Sequence, residues 1–470
     1  MASCSTFTQL FLPNSPTPSF SKPRFKHIKA TTTTSSLPLS DPLVLRIAET
    51  LEDSLTTTPL PSSSSLQKLR DTSSNSVLSL SWPSKKDEAF RFTDTSFIKT
   101  SQIKPVSTPS VKLPTDLAHT IFPKLVIIDG YIAGSERINE LGSGVFVGSV
   151  NEIDCEVIKQ RVFEFVSEFQ DGDLFWSLNG IGTPDVSVVY VPKECRVEIP
   201  LHLMFYSSES EDVGSNVLPV SNPRVLVIVE EGGEIGIIEE YFGGDGKGCY
   251  WANSALEMFI GEGGKVTHSY IQRQGPNAAH TKWTVVRQET SSTYKLVEIS
   301  TGGKLSRHNL HVQQVGGETI TELSALHLCL HEQTQDLHSR LVLDHPRGTS
   351  QQLHKCIVAH SSGQAVFDGN IKVNRFAQQT NAGQMTRTLL LEPRATVNLK
   401  PNLQIIADDV KCSHGAAISD LGKELKDQLF YFLARGINAE TCKKALIFSF
   451  GAEVIARLPD KSLRENTERH

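Results

Sequence analysis

Near the C-terminal end of the chain, the stretch IIADDVKCSHGAAISDLG gathers Asp408, Asp409, Cys412 and His414 within seven residues. Adjacent aspartates could serve as the acids of a hydrolase. A thiol and an imidazole two residues apart could bind one metal ion if the segment is extended, because alternate residues of a strand share a face. Two such donors make only half of a tetrahedral iron or zinc site. The other ligands must then come from elsewhere in the chain or from another chain. A second cluster, LHLCLH, sets His327, Cys329 and His331 at i, i+2 and i+4. Here Leu326, Leu328 and Leu330 read as the core face, which leaves the polar three on the outer face or in a minor cavity and argues against a metal.

Familiar catalytic signatures are missing. GGDGKG and GEGGKV are glycine turns followed by the wrong residues for a phosphate-binding loop. No GxSxG, HExxH or strand–helix GxGxxG occurs. β-Helix hydrolases of polygalacturonates use paired aspartates and an HG dipeptide, and this stretch has both. Their acids and histidine come from neighbouring coils around the sugar, however, and no Arg-x-Lys partner is present. A carbohydrate-active hydrolase or lyase on a β-helix is the competing reading. The eight cysteines form no CxxC, so cluster spacing of the zinc-finger or ferredoxin type is absent. In a reducing compartment they read as mostly buried thiols.

Three kinds of element must position these residues. From about 120 to 415, short β-branched and aliphatic runs alternate with polar residues and Gly pairs, as in LVIVEEGGEIGIIEEY and KLVEISTGGKLSRHNLHV. Such runs recur with no convincing helix between them. That length suits a parallel β-helix, in which each coil stacks on the last, better than one sandwich or barrel. The expected fold class is mainly β, a right-handed parallel β-helix over 120–418 between α-helical regions at 41–119 and 419–470. In the first region, Leu43, Ile47, Leu51 and Leu55 form one stripe of a helix; the Ser-rich TTTPLPSSSS reads as a linker, and Pro83 with Asp87 and Glu88 suits a helix start. In the last, Leu425, Leu429, Phe432 and Leu433 share a face and Gly436 is a C-cap. Asn438 then caps a second helix with Glu440 in its first turn, giving a hairpin with a strongly apolar face.

The first 40 residues differ from everything after them. They hold no acid, four Lys or Arg, and 15 Ser or Thr. A basic, Ser/Thr-rich leader starting MAS reads as a plastid transit peptide, with cleavage between residues 30 and 60. Loss of Lys22, Arg24, Lys26 and Lys29 would take the formal charge from −6 to −10. That charge argues against a general nucleic-acid binder. No window reaches the roughly 18–20 apolar residues of a membrane span.

The block KPNLQIIADDVKCSHGAAISDL, followed by DQLFYFLARGI and FGAEVI, closely resembles the C-terminal region of the SufD family of iron–sulfur cluster assembly subunits. The resemblance continues through FDGNIKVNRFAQQTNAGQMTRTLLL (367–391) and PSKKDEAFRFTD (83–94), where AFRF stands for the more aromatic AWRY. It covers most of the chain after the leader. It implies a non-enzymatic subunit that pairs its β-helix with a SufB-like scaffold subunit. Each C-terminal helical region would dock a SufC-like ABC ATPase, which accounts for the missing phosphate loop. It further implies that His414 and Cys412 sit at the SufB interface as metal ligands to a transient cluster or iron, none of it bound stably by this chain alone. Asp408, Asp409, Lys411, Ser413 and Gly415 would support that interface. Leu429, Phe432, Leu433, Gly436, Phe448 and Phe450 would form the ATPase docking face, and the implied location is the chloroplast stroma.

Overall fold

The computed structural model describes residues 41–56, 63–106, 121–210, 216–243, 246–420 and 426–469. The expected leader, 1–40, lies outside the described residues. From Arg224 to Asp420, strands are dealt alternately to two sheets and stack in parallel, for about seven turns. One sheet ends at strand Thr396–Ile405 and the other at Val410–Asp420. One rise along the stack consumes 26 residues from Ala279 to Leu305 but 32 from Gln364 to Thr396. The coil length drifts because turns, not strands, absorb the differences, and so no fixed period marks the sequence.

Inward-facing side chains fill the lumen between the sheets. Val227, Val229, Ile260, Val286, Val312, Leu341 and Ile371 belong to one buried cluster that runs its length. The outer face of the first sheet is covered by the N-terminal region. Helix Pro42–Thr56 buries Val44, Ile47, Ala48 and Leu51, and these pack with Trp82, Phe90 and Phe175. Leu43 and Leu55, expected on that stripe, are only half-buried. The outer face of the second sheet lies under helices Ala439–Ile455 and Lys461–Arg469, where Val454, Ile455, Leu458 and Leu463 meet Leu326 and Ile299.

Several expectations are corrected. Helices Glu156–Phe165 and Leu174–Gly182 interrupt the segment expected to lack helices. The first buries Ile158, Val162 and Phe165 at helical spacing; every residue of the second is buried, so no polar face reveals its period. Asp173 caps that second helix by accepting from the Phe175 and Trp176 N–H groups. Part of the Ser-rich linker is helix: Ser63 caps Ser64–Val77 by accepting from the Leu66 N–H. The expected start at Asp87 is a single 3₁₀ turn, Glu88–Phe90, whose Phe90 ring lies 4.0 Å from the buried Arg307 guanidinium. Of the seven described cysteines only Cys329, Cys356 and Cys442 are buried.

The LHLCLH strand is turned over. His327 and Cys329 face the lumen and are buried, Leu326 packs outward beneath the C-terminal helices, and exposed His331 lies past the strand. Under the covering helices the outer face is apolar too, and over residues 326–329 the leucines take the outer face while His327 and Cys329 take the lumen. A third C-terminal helix, Lys461–Arg469, follows the expected hairpin.

Candidate functional site

The stretch that opened the sequence reading forms the end of the solenoid. Val410–Asp420 is the last strand of its sheet, paired on one side with Thr380–Leu390. Thr396–Ile405 ends the other sheet in the same way. Each therefore presents a row of backbone N–H and C=O groups along its outer edge. Leu399, Leu403, Val410 and Cys412 are half-buried against the lumen core, and Ile405 and Ile418 are each 49% exposed. Among the described residues no element covers them.

Alternation along the last strand sets the site. Cys412 and His414 fall on its lumen-facing side, with Lys411 and Ser413 on the other. Cys412 pairs in register with Ala382, and His414, exposed, pairs with Gln384. Partial burial pushes the Cys412 thiol up, with the Ala382 N–H opposing it, so the thiol stays protonated near neutral pH and must lose its proton to bind a metal. Gly415 faces outward, and a Cβ there would stand 2.9 Å from Cε of Met385. The missing side chain lets the Met385 thioether lie over the edge strand.

Asp408 and Asp409 are exposed in the turn before the strand. The Asp409 backbone locks that turn to the one beneath: its N–H donates to Gln378 Oε1 (2.8 Å), and its carbonyl accepts from the Gln379 N–H (2.5 Å). The acids thus belong to the turn and the imidazole to the strand. Nothing in this arrangement favours a hydrolase. Among the described residues no three His, Cys, Asp or Glu side chains converge to hold a metal ion. The side chains with metal-ligating chemistry on the lumen side of this last strand are one thiol, Cys412, and one imidazole, His414.

Helix Ala439–Ile455 is anchored on one side and open on the other. Phe450 packs toward Ile357 and Leu389, and Lys355 donates to its carbonyl (2.8 Å). Phe448 on the same helix is 54% exposed, as are Tyr431 and Leu433 at about half, while Phe432 is half-buried. The Leu429 side chain lies outside the described residues. Gly436 adopts φ +81 after the first helix of the hairpin, and Asn438 accepts from the Thr441 N–H (2.8 Å) at the start of the second, as the sequence indicates.

Sequence reading missed a buried polar ladder in the lumen. The Glu239 carboxylate accepts from Lys282 and from the Tyr241 hydroxyl (2.7 Å) and meets His268 (2.9 Å), which in turn meets Tyr294 (3.0 Å). Farther along, Glu298 binds His308 (2.9 Å) and His327 (3.0 Å), and His354 meets Thr386 (2.9 Å). Burial alone would raise Glu298; His308 and His327 outweigh it and hold the carboxyl well below its ordinary range. Burial pushes His280, beside this ladder, down to about 3. The signal is the histidine-rich strands, but alternation read with Leu326, Leu328 and Leu330 as the core face leaves the histidines on the outer face or in a minor cavity rather than in the lumen.

The comparisons agree with this geometry. Residues 210–450 match the family model described as SUF system FeS cluster assembly, SufBD core domain. The chain is 57% identical to Protein ABCI7, chloroplastic, of Arabidopsis thaliana, over 96% of this chain and 95% of that protein. It is 35% identical to the iron-sulfur cluster assembly SufBD family protein slr0076 of Synechocystis, over 82% of this chain and 86% of that one. Iron-sulfur cluster assembly protein SufD of Escherichia coli is 28% identical, over 82% and 87%. A parallel solenoid ending in an uncovered coil that carries a thiol and an imidazole, with relatives of this kind along almost its whole length, identifies the chain as a member of the SufBD family of iron–sulfur cluster assembly proteins.

Proposed function

We propose that this chain is a non-catalytic subunit of a plastid SUF scaffold, in which the last coil pairs with a SufB-like subunit and the C-terminal helices dock a SufC-like ABC ATPase. The observation that carries this reading is the uncovered coil, which joins two free sheet edges, an apolar rim and two iron donors. Strand pairing across those edges would satisfy the open backbone groups and bury Ile405 and Ile418. It would also supply the ligands that Cys412 and His414 lack. Iron and the nascent cluster are cargo here. Imidazole is a competent iron ligand, and the thiol two residues away could take iron or sulfur in passing.

ATP chemistry would belong to the partner, since the sequence carries no phosphate-binding loop. Phe448 is exposed on a helix whose other side is tied to the solenoid, and Tyr431 and Leu433 are exposed on the helix before it, which together offer apolar surface. Closure of an ATPase pair would pull on those helices and so on the sheet beneath them. The Arabidopsis relative is named chloroplastic, and residues 1–40 have transit-peptide composition, which together support a stromal location after cleavage.

Co-expression with a SufB-like subunit and the ATPase tests the arrangement. Ile418→Lys should abolish co-elution with the SufB-like chain and leave ATPase capture intact. Deletion of 424–470 should do the reverse. Either variant keeping both partners would place the docking surfaces elsewhere.

A further inference from the structure

Gln384 lies one strand inward from His414, on the lumen side of Thr380–Leu390. It pairs in register with Gln352 below and with His414 above. The amide hydrogen bonds in this column run one way. Gln352 Nε2 donates across the lumen to Ser339 Oγ (2.7 Å), and Gln384 Nε2 donates to Gln352 Oε1 (2.9 Å). The row therefore ends in an acceptor, Gln384 Oε1, which is buried and has no hydrogen-bond partner. Its amide is held in place by a close approach to the opposite sheet: a Cβ on Gly369 would stand 2.4 Å from Gln384 Nε2.

A buried acceptor left unpaired is costly, and the row lacks one donor at its open end. The next position in the column is His414, whose neutral ring carries one N–H and one lone pair. Ser413 and Gly415 stand on the other face of the strand and cannot serve. We propose that Gln384 is a positioning residue: its Oε1 accepts from one ring N–H of His414, fixing the tautomer so that the other ring nitrogen presents its lone pair to iron(II). In the free chain, water competes for that N–H. Once a partner covers the coil, Gln384 is the acceptor that remains, and the oriented lone pair faces the shared site. Partners of this kind set both the orientation and the basicity of ligating imidazoles. The inference rests on the reading of His414 as an iron ligand at a partner interface.

The test is anaerobic iron(II) binding by the assembled pair of this chain and a SufB-like subunit, by competition with a chromogenic chelator. Wild type, Gln384→Leu, Gln384→Glu and His414→Ala are compared, with melting temperature and pair assembly measured for each. Gln384→Leu should weaken iron(II) binding by about 10–100-fold with little change in melting or assembly. Gln384→Glu, which keeps an acceptor oxygen on the same stem, should restore most of it. Wild-type binding by Gln384→Leu beside a loss in His414→Ala would overturn the role of Gln384 and leave the site reading standing. Wild-type binding by His414→Ala would overturn both. Equal losses in the two Gln384 variants, tracking a lower melting temperature, would reduce the residue to packing.

Discussion

The two ends of the solenoid are built from similar lumen-facing aliphatics and are finished in opposite ways. At the first end, antiparallel strands Tyr131–Glu136 and Phe146–Ser149 flank the first parallel strands. Between them the turn Ile138–Leu141 drops Leu141, 2% exposed, onto the core, with Ile132, Ile138, Val145 and Val147 around it. The outer edge there carries Ala133, Gly134, Ser135 and Glu136, an exposed row of small and polar residues that gives another strand little to bury. At the last end, Leu399, Leu403, Val410 and Cys412 stay half-buried and isoleucines line the rim. A stacked repeat needs its terminal units closed. The chain closes one end itself, and the other carries the donors. The uncovered edges and the isoleucine rim of the last coil are what the proposed pairing with a SufB-like subunit would close.

The middle of the solenoid should be the most sensitive to change. Glu298→Ala removes the shared acceptor of His308 and His327 inside the lumen and should cost about 3–5 kcal/mol in denaturant unfolding. A cost near zero would mean that the ladder contributes little to holding the body between the two ends. Next come the ends themselves. Leu141→Ala should cost about 2–5 kcal/mol, because it opens a cavity under the built-in cap. Leu403→Ala should cost about 1 kcal/mol in the free chain, where that side chain is already half in water. The same pair measured in complex with a SufB-like subunit should draw closer. Equal costs in the free chain would break the contrast between the ends.

Acid offers a smaller and more diffuse probe. Burial pushes His280 and His202 down to about 3 and His311 to about 4. The unfolded chain takes up those protons near the ordinary histidine value while the folded chain does not. The stability these groups contribute is therefore present above about pH 6.5 and is lost as pH falls toward their folded values. Burial pushes Asp185 up to about 6 and also raises Asp129 and Glu257, which act in the opposite sense, while the lowered carboxyls of Glu239, Glu298 and Asp336 act with the histidines. The melting temperature should fall steadily from pH 7 to pH 4, and a flat profile would contradict the burial of these imidazoles. None of the three belongs to the last coil. The smallest effect is expected there: His414→Ala should change stability by no more than about 0.5 kcal/mol, as for an exposed side chain.

Much of this contrast was legible in the sequence. Short β-branched runs between Gly pairs gave away the solenoid, and the i, i+2 spacing placed Cys412 and His414 on one face of a strand. Gly436 and Asn438 read correctly as helix punctuation. Other features were hidden for identifiable reasons. Helix Leu174–Gly182 is buried all round and shows no amphipathic period. The strand around His327 has its apolar side outward because helices cover that sheet, so alternation pointed the wrong way. The lumen ladder depends on which residues of successive coils stack. With coil lengths ranging from 26 residues (Ala279 to Leu305) to 38 (Val186 to Arg224), that register cannot be counted from one sequence. Gln384 is silent for the same reason: its meaning comes from Gln352 below it and His414 above it.

If the last coil is half of a site that a partner completes, anaerobic reconstitution with iron and sulfide will show cluster only where both halves meet. This chain alone, a SufB-like subunit alone, the assembled complex with its ATPase, and the same complex carrying His414→Ala would be followed by cluster absorbance. The account predicts strong absorbance in the wild-type complex only, with His414→Ala assembling normally and losing most of the signal. A normal cluster yield from the His414→Ala complex, or an equal yield from this chain by itself, would contradict it.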